Sequence, residues 1–134
     1  REKAGGLNMD KISFWCFFTA GILPIICAGI SKSKKNYDNE NPRKWLAIQT
    51  GFRERANSAQ QNSWESFIWF SASLTLALIF SLDNIDFVNL MSVLYIFLRV
   101  LYVLFYIFGF ANLRTISWLC AHGCVFGILF CVLK

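Results

Sequence analysis

Four long apolar runs constrain what this chain can become. Residues 12–30, 66–82 and 115–133 contain no Asp, Glu, Lys or Arg, and residues 87–109 contain one such residue, Arg99. Crossing a hydrocarbon layer takes about 20 helical residues, and about 17 at the least. Every run reaches that length. The chain is 56% hydrophobic and 16% charged, against roughly 25% charged in soluble domains, so the runs cannot all form a water-soluble core. The expected fold is an all-α integral membrane four-helix bundle, one domain over residues 1–134, with spans at about 11–32, 56–82, 87–110 and 114–133.

The first run is long for a signal-peptide core, and no A-x-A-like cleavage site follows it, so it reads as a retained helix. Met9-Asp10-Lys11 looks like a natural start, which makes residues 1–8 an expression remnant or an upstream extension. The net charge of +5 gathers between the first two spans, where Lys32, Lys34, Lys35, Arg43, Lys44, Arg53 and Arg55 face only Asp38, Glu40 and Glu54. The next connection, Asp83-Asn84-Ile85-Asp86, has no basic residue. The positive-inside rule then puts the 32–55 connection in the cytoplasm of a multi-pass protein, with a bacterial inner membrane as the expected site. Attraction to anionic lipid accounts for the basic stretch better than nucleic acid, because no nucleic-acid fold accompanies it.

Cys16, Cys27, Cys120, Cys124 and Cys131 all fall within the first and last spans, away from loops where a disulfide framework would form. His122 lies between Cys120 and Cys124, but a helix turns it to the opposite side from both, so no metal site is expected. Gly123 and Gly127 form a G-x-x-x-G that signals close helix packing.

Two polar clusters interrupt the apolar sequence. One is Ser58-Ala59-Gln60-Gln61-Asn62-Ser63-Trp64-Glu65; the other is Arg99-x-x-Tyr102-x-x-x-Tyr106, followed by Arg114. An ionisable residue in a membrane helix costs about 2.5–3.5 kcal/mol on insertion scales and marks a functional site by default. Counting helical rise from the 83–86 connection sets Glu65 roughly 25 Å and Asn62 roughly 30 Å away on the second span. The same count sets Arg99 at roughly 18 Å, Tyr102 at roughly 22 Å and Tyr106 at roughly 28 Å on the third. Arg55, Ser58, Asn62, Glu65 and Trp69 share a stripe of about 80°, and Arg99, Tyr102 and Tyr106 share one face. The stripes are expected to face each other, or a neighbouring subunit, around a polar cleft. An internal Glu65–Arg99 ion pair is the simplest use for them. The inventory exceeds one pair, however, and suits a small acidic peptide.

With these motifs the chain resembles the MAPEG family, the membrane-associated proteins in eicosanoid and glutathione metabolism. The resemblance rests on four spans, a basic first connection, Ala59-x-x-Asn62-x-x-Glu65 in the second span, Arg99-x-x-Tyr102-x-x-x-Tyr106 in the third, and Arg114 before the fourth. It implies a homotrimer with sites between subunits, and glutathione as co-substrate with no metal. The implied activity is that of a transferase or peroxidase acting on lipophilic small molecules that arrive through the bilayer. It also implies that Asn62 and Glu65 hold the peptide's amino and amide groups, that Arg99, Tyr102 and Tyr106 line the pocket, that Gln60 reaches in from the neighbouring subunit, and that Arg114 sits nearest the thiol. Ser58 stands where the family carries a carboxylate-binding arginine, and Arg55 is a candidate substitute. Ser66 and Ile68 replace a tyrosine and a proline of the pattern. Two further readings are a non-catalytic trimer of the same fold binding lipid or another anionic ligand, and a small multidrug exporter. The uncharged first span argues against the exporter.

Overall fold

The computed structural model describes residues 10–133; Met9, residues 1–8 and Lys134 lie outside the described residues, and with them the reading of where the chain starts. Five α-helices run in order: α1 Lys11–Ser31, α2 Pro42–Ala47, α3 Phe52–Phe80, α4 Ile85–Phe108 and α5 Ala111–Phe130. Four of these elements are long and apolar enough to cross a membrane. Their outer faces carry exposed Phe14, Trp15, Ile68, Phe97 and Leu119. Apolar surface on that scale belongs in lipid, so the chain is a multi-pass membrane protein.

Local chemistry sets the ends of the helices. Asp10 caps α1, its carboxylate accepting from the Ile12 and Ser13 amides at 2.9 and 3.1 Å. The Ser13 amide, ahead of Asn89 and the Ile12 amide and against slight desolvation, holds this carboxyl below its ordinary value. Pro42 opens α2 at a position where a missing amide hydrogen costs nothing. Gly51, at φ 70°, precedes α3, and Gly109, at φ 84°, closes α4; both angles lie in the left-handed region that favours glycine. In the α1–α3 connection, Trp45 is buried edge-on to Tyr37 at 5.1 Å, and Arg53 donates to the Ser33 carbonyl at 3.1 Å.

Small residues line the buried seam of α3. Ala56, Ala59, Ser63, Ser66, Phe70, Ser73 and Ala77 recur at alternating steps of three and four, and all are buried. That spacing keeps one stripe facing its neighbours, and small side chains let membrane helices approach closely. α1 packs most closely on α3, and α4 on α5. Their common core holds Cys16 and Ala20 of α1, Phe70 and Leu74 of α3, Val88 and Tyr95 of α4, and Val125 and Ile128 of α5. Hydrogen bonds pin the interfaces. Ser13 Oγ donates to Asn89 Oδ1 at 2.8 Å, Ser81 Oγ donates to the Cys131 carbonyl at 3.0 Å, and the Ser66 and Tyr95 hydroxyls share a bond of 2.8 Å. The five cysteines are free thiols, and only Cys120 is exposed.

Candidate functional site at the α3–α4–α5 junction

Three contacts fix how α3 and α4 run past each other. Ser66 meets Tyr95, Ser63 Oγ accepts from an Arg99 terminal nitrogen at 3.2 Å, and Arg55 Nε donates to the Ile107 carbonyl at 2.9 Å. This register corrects the depth count. Counting from the 83–86 connection left Arg99 some 7 Å short of Glu65, whereas the contact sets it level with Ser63, about 3 Å beyond Glu65. The count assumed helices ending at 82 and 87, but α3 stops at Phe80 and a tight 3-10 turn, Leu82–Asn84, reverses the chain. The corrected register brings the two polar clusters fully alongside each other.

The centre of the site is a ladder of two phenol rings with a guanidinium group at each end. The Arg99 guanidinium carbon lies 4.0 Å from the Tyr102 ring centroid. Tyr102 meets Tyr106 edge-on at 5.6 Å, and the Arg114 guanidinium carbon lies 4.4 Å from the Tyr106 ring. Arg99 is 1% exposed and Tyr102 4%. Spacing explains the ladder: positions 99, 102 and 106 share one face of α4, and the Gly109 turn brings the start of α5, with Arg114, back against that face. Cation–aromatic contacts of this kind are worth about 2 kcal/mol when desolvated. Glu65 also lies within electrostatic reach of Tyr102, as do a second phenol and two guanidinium groups.

The remaining predicted residues have different positions. Glu65 is exposed, and Ser58 and Asn62 are half-buried. The α3 polar stripe is offset by one residue, about 100°, from the buried seam, so it flanks the α4 ladder and does not face it squarely. The hydrogen bond that Arg99 makes goes to Ser63, not to Glu65 as the ion-pair reading expected. Arg55 is engaged at the carbonyl end of α4, where a cation complements the helix dipole. Gln60 lies in a separate cleft with Lys32 and Arg43. Two buried polar atoms at the junction have no partner in the described chain, one terminal nitrogen of Arg99 and Asn62 Oδ1. They leave one donor and one acceptor unsatisfied where the helices meet.

Four residues at this junction escaped the sequence reading. Ser63 lies inside the quoted cluster and Ser66 directly follows it, but only the seam spacing distinguishes them from their exposed neighbours. Tyr95 sits one turn before Arg99 on the same face, stacked on Phe70 at 4.2 Å; extending the motif backward by four residues finds it. Cys27 of α1, fully buried against Ala59, Tyr102 and Val103, carries no sequence signal. Among the described residues, no three His, Cys, Asp or Glu side chains converge as a metal site.

Chemically, the junction can hold an anion against guanidinium groups, donate phenolic hydrogen bonds and accept a cationic group at Glu65, all beside a lipid-accessible surface. Comparison with known protein families matches the MAPEG family over residues 12–134. Neither the curated proteins nor the solved structures contain a match to this chain. The match spans all four membrane helices and every residue of the junction, and the chain belongs to the MAPEG family.

Proposed function

We propose that the protein is a membrane-bound glutathione-dependent transferase or peroxidase working on lipophilic electrophiles or hydroperoxides. The observation that carries this reading is the continuous line of contacts from Arg99 through Tyr102 and Tyr106 to Arg114. Glutathione presents an ammonium, two carboxylates and a thiol. Glu65 suits the ammonium, and the unpartnered Asn62 carbonyl oxygen suits an amide hydrogen. Tyr102 and Tyr106 border the pocket, with Arg99 beneath them. Arg114 takes the thiol end. A free thiol has a pKa of about 8.5, and a guanidinium beside it favours the thiolate, which is the nucleophile. On an aromatic halide the thiolate forms a carbon–sulfur bond and halide leaves. On a hydroperoxide it attacks the outer oxygen, the O–O bond breaks, and alcohol and a sulfenic acid result. A second glutathione converts that acid to a disulfide and releases water.

The exposed flank of α3 calls for a second surface to enclose the peptide, which supports an assembly of several copies, a homotrimer by family resemblance. Gln60 reaches such a site only from a neighbouring copy. The basic 32–55 connection supports a cytoplasmic placement for the peptide-binding end.

The test is a conjugation assay with a generic aromatic halide, run beside a lipid hydroperoxide, each with and without glutathione. Turnover that requires glutathione and falls in Arg114→Ala, while the protein stays folded, is the expected result. Absence of any glutathione-dependent thermal shift at millimolar ligand would sink the reading.

A further inference from the structure

We propose that the cleft between the end of α1, α2 and the first third of α3 binds the phosphate of an anionic glycerophospholipid. The cleft has a volume of about 670 Å³, and Lys32, Arg43, Asn57, Gln60 and Gln61 bring its polar groups together. Two cations and three amide side chains share its lining with the apolar Leu46 and Ala47. Among the described residues no carboxylate lines it. Phosphate oxygens accept hydrogen bonds from amides and charge-assisted bonds from guanidinium and ammonium groups. A cavity of this size accepts a phosphate with its glycerol, which a bare inorganic ion would leave mostly unfilled.

Helix lengths set its height in the membrane. α1 has 21 residues, a rise of about 31 Å, which matches a hydrocarbon layer of about 30 Å and puts Lys32 at its edge. α3 has 29 residues, a rise of about 43 Å, so its first nine or so project beyond that layer. The projection ends at Gln60 and Gln61. Two helices counted separately therefore put the cleft at the level of lipid phosphates. The connection beside it is strongly basic, and a surface of that kind draws anionic lipid.

The glutathione reading draws on the outer flank of α3, the start of α5 and, from a neighbouring copy, Gln60. Gln60 borders both, so the test must separate them. Native mass spectrometry of the full chain, extracted with phosphatidylglycerol or phosphatidylcholine, gives the first measurement; selective retention of phosphatidylglycerol is expected. Combined Lys32→Gln and Arg43→Gln should weaken retention about thirtyfold, from the usual contribution of two surface cations. Lys34→Gln with Lys35→Gln, which removes equal charge from exposed positions outside the cleft, should leave it unchanged. Gln61→Glu keeps both cations but adds a repelling carboxylate, so it carries the test if the double variant does not fold; it too should lose the lipid. Equal retention of phosphatidylcholine would overturn the proposal. So would displacement of phosphatidylglycerol by millimolar inorganic phosphate or glutathione, which would assign the cleft to a soluble anion.

Discussion

Replacing Arg99 by methionine separates what the buried guanidinium does for the fold from what it does for the site. Two terms favour arginine. The contact with the Tyr102 ring, at 4.0 Å and out of water, is worth about 2 kcal/mol. The bond to Ser63 Oγ, at 3.2 Å and charge-assisted, is worth about 1.5–3 kcal/mol. Against them stands an insertion cost of about 2.5–3.5 kcal/mol, unrelieved at the terminal nitrogen that has no partner. The balance is about 1 kcal/mol in favour of arginine. Methionine fills much of the same volume, and the freed Ser63 hydroxyl can turn to a carbonyl of its own helix. Arg99→Met should therefore lose about 1 kcal/mol or less in reversible unfolding from mixed micelles, followed by tryptophan fluorescence. Glutathione-dependent turnover should fall much further, because Tyr102 loses the surface it rests on. A stability loss above about 3 kcal/mol would refute the accounting; it would mean that Arg99 is primarily a structural strut.

Four other outcomes follow from the same structure. Gly109→Ala should cost about 1–2 kcal/mol from its φ of 84° alone, since the added carbon would meet Arg55 only at 3.9 Å; Gly29→Ala, with nothing within 4 Å, should not destabilise the same unfolding transition. The Asp10 carboxyl sits below its ordinary value of 3.8, so its stabilisation is complete above that value and disappears as pH falls through the lowered one. Amide exchange at Ile12 and Ser13 should therefore accelerate, beyond its intrinsic pH dependence, only in that acid range; fraying already present above about pH 5 would contradict the cap. Tyr95→Phe loses the bond to Ser66 but keeps the stack on Phe70, so about 0.6 kcal/mol is expected in unfolding, against about 3–5 kcal/mol for Tyr95→Ala. Ser58→Arg should tighten glutathione about tenfold or more by adding a charge-assisted contact, and an unchanged thermal-shift titration would separate position 58 from the site.

The helices were legible because lipid leaves few choices: three uncharged runs of 17 or more residues, and a fourth broken only by Arg99, had to become spans. Their ends were less so. α3 begins at Phe52, where the apolar run suggested about 56, because a helix stops at a breaker and not at the lipid boundary, and the breaker here is Gly51. The Asn41-Pro42 signal for α2 was present in the sequence but short. The α3 interface was harder for a physical reason. In water a buried stripe announces itself by hydrophobicity, whereas in a membrane small residues mark contact, so Ala56, Ala59, Ser63 and Ser66 looked unremarkable beside Asn62 and Glu65. The polar stripe was real, but it lies about 100° around the helix from the seam. The α3–α4 register came only from contacts.

Position 58 shows how the junction differs from the family pattern in a connected way. Arg55 lies one turn before Ser58, about 4.5 Å along the same stripe, and already closes α4 by bonding the Ile107 carbonyl beside Gly109. That turn sets where α5 starts, and hence where Arg114 meets Tyr106. A second guanidinium at 58 would sit one helical turn from the first, a spacing at which like charges repel. Serine at 58 avoids that repulsion and leaves Arg55 to hold the turn. In the proposed function, the cation that α3 gives up for glutathione's carboxylate then has to come from α5 or from a neighbouring copy, whereas Glu65 and Asn62 keep their place on the exposed flank. On this account the substitution redistributes charge around Tyr102 without dismantling the site.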